Sequence, residues 1–194
     1  MGMLDGRVAI VSGGGRGVGA EIAKHMAAAG AKVLVNDPGV GGGGEGGDTA
    51  PAQTIADEIK AAGGEASANF GSVTDYGDCL GMVEQARDEL GGCHIICNPA
   101  GILRDRMFHK MDPQDWRDVI EVHLNGHYNI NRAAINLFRE QEYGRMIMVS
   151  STSGVLGNIG QANYGAAKMG IVALCKIVAM AVSYTHLRAH ETEL

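Results

Sequence analysis

The stretch from Arg7 to Gly30 constrains the fold more than any other part of this chain. Arg7–Ser12 (R-V-A-I-V-S) reads as a short buried strand, residues 13–19 (G-G-G-R-G-V-G) as a tight turn, and Ala20–Ala29 as a helix ended by Gly30. Gly13, Gly17 and Gly19 let the chain reverse sharply and let its backbone approach a pyrophosphate at the N-terminus of the following helix. Alone, such a turn says little. Here it lies between a strand and a helix, and the next strand, Lys32–Asn36, is closed by an acid, Asp37, eighteen residues after Gly19. The combination predicts a dinucleotide-binding βαβ unit, with Gly13, Arg16, Gly17, Val18, Gly19 and Asp37 around the ligand.

Strand and helix patterns alternate along the rest of the chain, which predicts an α/β fold with a doubly wound parallel sheet. The loop after Asp37 (P-G-V-G-G-G-G-E-G-G-D-T) is too glycine-rich for regular structure, and Pro51 can open the next helix, running to about Ala62. Ala66–Phe70 reads as a short strand, Asp75–Leu90 as a helix and Cys93–Asn98 as an apolar strand. Asp112–Glu140 reads as one long helix with Pro113 in its first turn, Arg145–Ser150 as the fifth strand and Ala162–Ala181 as the last helix. No repeat or linker divides residues 1–181, which are expected to form a single domain.

Chemistry concentrates between Ser151 and Lys168, S-T-S-G-V-L-G-N-I-G-Q-A-N-Y-G-A-A-K. Tyr164 and Lys168 are four residues apart, so on a helix they share one face. An ammonium beside a phenol favours the phenolate, and such a tyrosine can exchange a proton with an alcohol near neutral pH. Ser151, thirteen residues before Tyr164, can hydrogen-bond the same oxygen. These three residues are the candidate machinery for interconverting a carbonyl and an alcohol.

These residues together resemble the short-chain dehydrogenase/reductase family over positions 5–181. Val35-Asn36-Asp37 with its glycine-rich loop, the run Ala100–Arg106 (A-G-I-L-R-D-R) and Gly144–Lys168 with its G-N-I-G-Q-A-N-Y core look closest to one subgroup. That subgroup is the (3R)-hydroxyacyl-CoA dehydrogenase domain of peroxisomal multifunctional enzymes and its bacterial relatives. The resemblance implies a Rossmann-type domain that exchanges hydride between NAD(H) and a 3-hydroxyacyl or 3-oxoacyl thioester. It implies a homodimer or homotetramer, with this last helix and the long helix before it pairing across a two-fold axis. In similar enzymes Lys168 also holds the cofactor ribose, Asn98 helps seat the cofactor, and Ser72 and Val73 lie beside the adenine. The nearest alternative is an NADPH-dependent 3-oxoacyl-ACP reductase. A dinucleotide-binding structural subunit without turnover is a third reading, and the intact Ser151, Tyr164 and Lys168 argue against it.

Several positions depart from the family pattern or pull in opposite directions. A carboxylate at Asp37 suits ribose hydroxyls and repels a 2′-phosphate, whereas an arginine such as Arg16 is often associated in the family with NADP. NAD is the expected cofactor and NADP the alternative. Pro99 stands where the family has a second asparagine, and removes a backbone donor. The acid usual before Ser72 is replaced by Gly71. His123 occupies the place of an asparagine that serves a proton relay in many relatives, and a hydrogen-bonded structural histidine is the reading favoured here. His123 and His127 have the spacing of a zinc pair, but L-N-G separates them and no third ligand follows, so no metal is expected. No G-x-S-x-G elbow surrounds Ser150, Ser151 or Ser153. Arg104, Asp105 and Arg106 follow the fourth strand near the mouth of the site, where they either hold a substrate loop, meet a CoA phosphate or form a salt bridge.

With 194 residues, 45% hydrophobic, and a net charge of −6, the chain fits one domain and argues against a nucleic-acid partner. No uninterrupted apolar run reaches the length of a membrane span, and the expected location is cytoplasmic, with a peroxisomal one compatible. Cys93 and Cys97 fall on one predicted strand, about 13 Å apart, beyond disulfide reach. Val182–Thr192 (V-S-Y-T-H-L-R-A-H-E-T) resembles the translation of a transposase sequencing adapter. Residues 182–194 are therefore expected to be a non-native tail, supplying neither helix nor strand. The domain is expected to be incomplete, lacking the last strands and the substrate segment that follow the tyrosine helix in the family, and to be inactive for that reason.

Overall fold

A computed structural model describes residues 2–182 and, by their backbone, 188–193. Six strands form one sheet: β1 (Val8–Ser12), β2 (Lys32–Asn36), β3 (Ala66–Asn69), β4 (Ile95–Asn98), β5 (Arg145–Ser150) and β6 (Arg188–Glu193). Their order is β3-β2-β1-β4-β5-β6, and every neighbouring pair is parallel. This is the doubly wound arrangement, in which the chain starts at the centre and reverses direction between β1 and β4.

Continuous apolar runs feed both faces of such a sheet, because successive side chains point to opposite sides. Ile10, Leu34, Ile96, Met146 and Met148 face one layer, packing with Met82 of α3 (Tyr76–Leu90), Ile130 and Phe138 of α5 (Gly126–Glu140) and Ile171 of α7 (Ala162–Val182). Val11, Val33, Val35 and Cys97 face the other, against Ala20 and Ala23 of α1 (Gly17–Ala28) and Ile55 and Ile59 of α2 (Ala50–Ala61). Caps set the limits of these helices. Asp75 accepts from the Asp78 N–H to start α3, and Gly91, at φ 90°, ends it. Asp112 accepts from the Gln114 N–H, and Pro113 opens α4 (Pro113–Ile120). A short helix, α6 (Thr152–Leu156), precedes α7.

Two expectations are corrected. The tail does supply a strand: β6 pairs with β5 from Arg145↔Arg188 to Ser150↔Glu193. A parallel ladder is made by backbone N–H and C=O groups, so any proline-free segment can extend an open sheet edge whatever its composition. Residues 183–187 and 194 lie outside those described. Second, the long helix is not uniform. A π turn, Glu121–Asn125, separates α4 from α5, and a 3.6-residue reading carries no trace of it. On α7, Ile171 and Val172 are buried while Ile177 is exposed. Ala162–Ala181 has the length and mean hydropathy (1.5) of a membrane-crossing helix, although Lys168 and Lys176 interrupt its apolar run. Its inner face is nevertheless spent on the sheet, where Ala167, Ile171 and Cys175 are buried.

Candidate active site

The glycine turn is built by backbone demands that side chains cannot meet. Gly13 has φ 61°, and a Cβ there would lie 2.7 Å from the Ala100 Cα, so the turn and the loop after β4 touch backbone to backbone. Gly17, at φ 51°, opens α1 in a conformation that favours glycine. The turn is fastened to the end of β2: the Gly14 N–H donates to Asn36 O (2.9 Å) and the Gly15 N–H to Asp37 Oδ2 (3.1 Å). Asp37 Oδ1 accepts from the Gly39 N–H (2.8 Å). The carboxylate that the sequence assigns to a ribose is therefore fixed by two backbone donors, each oxygen keeping a lone pair free.

A cavity of about 690 Å³ opens above the carboxyl ends of the strands. Gly13, Arg16, Val18, Gly19, Asp37, Ser72 and Val73, all expected, form part of its wall, with Pro99, Ala100, Gly101, Ile102 and Arg104 opposite. Gly17 faces a shallower groove beside Glu21 and Lys24. The glycine-rich loop after β2 folds over the cavity, which the sequence did not disclose. The Leu103 N–H donates to Gly42 O (2.9 Å), Arg104 Nη1 reaches Glu45 Oε1 (3.3 Å) and Arg16 Nη1 donates to Val40 O (3.1 Å). Arg104 also stands 3.9 Å from Asp115 Oδ1, so its guanidinium is held between two acids. From α3, Asp78 Oδ2 accepts from the Ser72 N–H at 2.8 Å.

The cavity and its floor fit a dinucleotide. Its volume lies within the usual range for small-molecule sites, and the glycine turn leaves backbone rather than side chains at its edge. Asn98, directly before the cavity-lining Pro99, is buried with both amide atoms lacking a partner among the described residues. Ser12 Oγ, directly before Gly13, is in the same state. Buried polar atoms left unpaired cost about 1–3 kcal/mol each, which marks a place where a ligand or water completes the bonding.

Ser151, Tyr164 and Lys168 lie outside the wall of this cavity. Gly101 and Ile102 line it, His123 packs against both, and Tyr164 packs edge-on against the His123 ring at 5.1 Å between centroids. Lys168 is buried, donates from Nζ to Val149 O (2.7 Å) and stands 5.5 Å from the Tyr164 ring centroid. Burial lowers its pKa to about 8. Ser150 Oγ donates to Lys168 O (3.0 Å), fastening the end of β5 to the same turn of α7. Ser151 caps α6, its Oγ accepting from the Ser153 N–H (3.2 Å), which leaves the hydroxyl hydrogen available to another oxygen. Helix α6 lies close on α7 here: a Cβ on Gly154 would be 3.0 Å from Lys168 Cβ.

The two histidines are engaged in the structure. His123 Nε2 meets the Ile102 backbone (2.9 Å to O, 3.2 Å to N) and His127 Nδ1 donates to His123 O (2.6 Å). Burial, and then the Lys168 charge, lower His123 to about 4 and His127 to about 3, so both are neutral rings. Among the described residues no group of three metal-ligating side chains occurs.

Comparison with known proteins places this geometry. Residues 7–193 match the sequence profile described as short chain dehydrogenase. A short-chain type dehydrogenase/reductase of Mycobacterium tuberculosis is 46% identical over 90% of this chain and 61% of its own length. Peroxisomal multifunctional enzyme type 2 of Drosophila melanogaster is 47% identical over 91% of this chain and 29% of its own length. The crystal structure of a short chain dehydrogenase from Mycobacterium avium superposes with a TM-score of 0.91 at 40% identity, covering 98% of this chain and 68% of that one. The chain thus spans about three fifths or less of these two curated relatives.

Proposed function

The chain belongs to the short-chain dehydrogenase family, and on that footing we propose that the enzyme to which it belongs exchanges hydride between NAD(H) and C3 of a (3R)-3-hydroxyacyl-CoA or its 3-oxo counterpart. The observation that carries this reading is the buried Lys168, pinned by Val149 O 5.5 Å from the ring of Tyr164. When bound, the nicotinamide supplies the acceptor or donor of the hydride. Gly13, Val18 and Gly19 would present backbone to the pyrophosphate of the bound cofactor, Asp37 would hold the adenosine ribose, and Asn98 would offer its unpartnered amide. In the oxidative direction Tyr164 takes the proton from the C3 hydroxyl as the hydride leaves C3, and a C3 carbonyl forms. In the reductive direction Tyr164 returns that proton. Ser151 donates a hydrogen bond to the same oxygen, and the Lys168 ammonium balances charge that develops on the Tyr164 oxygen. Preference for NAD rests on the Asp37 carboxylate, and Arg16 does not oppose it while held on Val40 O. A like-charge contact of Asp37 with a 2′-phosphate near 4 Å would cost about 4 kcal/mol at an effective dielectric of 20.

The acyl-CoA substrate is supported by the likeness to the peroxisomal multifunctional enzyme. The test is kcat/KM with both cofactors, and with CoA against acyl-carrier thioesters. We expect at least tenfold preference for NAD and for CoA. A tenfold preference for NADPH with carrier substrates would assign the chain to the reductases of acyl-carrier thioesters instead.

A further inference from the structure

We infer that Asn163 is the positioning residue of the site: its side-chain amide fixes Tyr164 against the loop that walls the cavity. This rests on Tyr164 being the proton-transfer group, as proposed above. Asn163 is fully buried, next to Tyr164 at the start of α7. Its Oδ1 accepts from the Tyr164 N–H (2.8 Å), and its Nδ2 donates to both Arg104 O (3.1 Å) and Asp115 O (3.2 Å). One amide therefore joins three segments: the tyrosine helix, the loop after β4 and the first turn of α4.

Each bond answers a local need. The Tyr164 N–H is one of the four helix-start donors that lack a partner within the helix. Arg104 and Asp115 already face each other through their side chains at 3.9 Å, and Arg104 reaches Glu45 on the loop folded over the cavity. The segment before α7 is registered on the same loop a second time, by the Arg106 N–H donating to Gly160 O (2.9 Å). A structural cross-link could lie anywhere along α7, whereas this one holds the backbone of the residue that bears the phenol. An aspartate lacks the two donors, and an aliphatic residue lacks all three groups. Reacting groups displaced by about 1 Å can lose roughly a hundredfold in rate, so the Asn163 amide sets kcat rather than cofactor affinity.

Two variants test this. Asn163→Asp keeps the shape and the acceptor for the Tyr164 N–H but turns an oxygen toward two carbonyls. Asn163→Ala removes all three bonds. With the thioester that the unsubstituted chain turns over, we expect kcat to fall roughly ten- to a hundredfold. KM for the thioester and Kd for NAD should stay within about threefold, a split between kcat and KM that a merely structural role would not give. NAD binding is read from the fluorescence of Trp116, the chain's one tryptophan, adjacent to Asp115. A folded, NAD-binding variant with kcat within about twofold of the unsubstituted chain overturns the inference. Should the variants not fold, or the unsubstituted chain not turn over, amide hydrogen exchange decides. The Tyr164 N–H is expected to exchange at least about tenfold more slowly than its neighbours at 162 and 163, and equal rates overturn the inference. Inactivity of the unsubstituted chain on every thioester agrees with the expectation from its sequence and leaves the exchange rates to decide.

Discussion

Removing one oxygen atom tests the proposed chemistry most directly. Tyr164→Phe keeps the ring edge-on to His123 and beside the Lys168 ammonium, so packing and the cofactor seat persist while the proton-transfer group is lost. We expect kcat to fall about 10²–10⁴-fold with the Kd for NAD within about twofold. A variant retaining more than about a tenth of the rate would remove Tyr164 from this role. The buried histidines give a second test at this scale. Their pKa values, about 4 and about 3, lie below the ordinary 6.5, so between those limits the unfolded chain binds more protons than the folded one. Their contribution to stability is complete above about pH 6.5 and is lost as pH falls toward 4. At pH 5 each accounts for about 2 kcal/mol. Urea unfolding at pH 7.5 and 5.0 should show a loss of that order or more, and equal midpoints would mean that the rings are hydrated in solution. That Tyr164 and Lys168 share one helix face was legible in the sequence because their spacing is local, and Lys168 Nζ stands 5.5 Å from the Tyr164 ring centroid. Asn163 was not, since its three bonds matter only once the loop at Arg104 and the turn at Asp115 are brought to it.

Among the elements, boundaries set by apolar runs and turn residues were readable: Lys32–Asn36 and Arg145–Ser150 are strands over those residues. The π turn at Glu121–Asn125 was not, because its anchors come from elsewhere in the fold. His123 is bonded to Ile102, and Gly126 sits so near Val73 that a Cβ would be 2.8 Å from its Cγ2. The loop after β4 is locked to this turn at Gly101, where a Cβ would run into the His123 ring. That ring cannot withdraw easily, being buried, bonded to Ile102 and edge-on to Tyr164. Gly101→Ala should therefore cost about 1–3 kcal/mol in urea unfolding, as overpacking does. Gly43→Ala is the contrast, since the nearest atom to its Cβ is the Arg104 Nη1, 3.8 Å away. It should change stability by no more than about 0.5 kcal/mol. Equal effects would mean that the contact between Gly101 and His123 is loose in solution.

At the scale of the whole molecule, the layered α/β architecture followed from the alternation of patterns, but the extent of the sheet did not. The open side of β5 takes on β6 through backbone bonds that composition does not encode. What the chain leaves uncovered is more telling on the outer side of the last helix. The inner positions Ile171, Val172 and Cys175 are buried, yet Met169 and Ile177 are 51% and 65% exposed. With Ala173 between them they recur at intervals of four residues, which is one face of a helix. Tyr128 of α5 adds an aromatic ring, 52% exposed. A closed two-fold dimer is the commonest way to bury such a face, because the same patch serves both partners. We propose that α5 and α7 meet their counterparts in this way, and expect light scattering at micromolar concentration to report a dimer. Ile177→Asp should shift that population to monomer, since the interface would have to desolvate a carboxylate. Its thermal stability as a protomer should change little, because Ile177 is exposed there. A clean monomer for the unsubstituted chain would sink the idea and leave the face of Met169 and Ile177 to solvent.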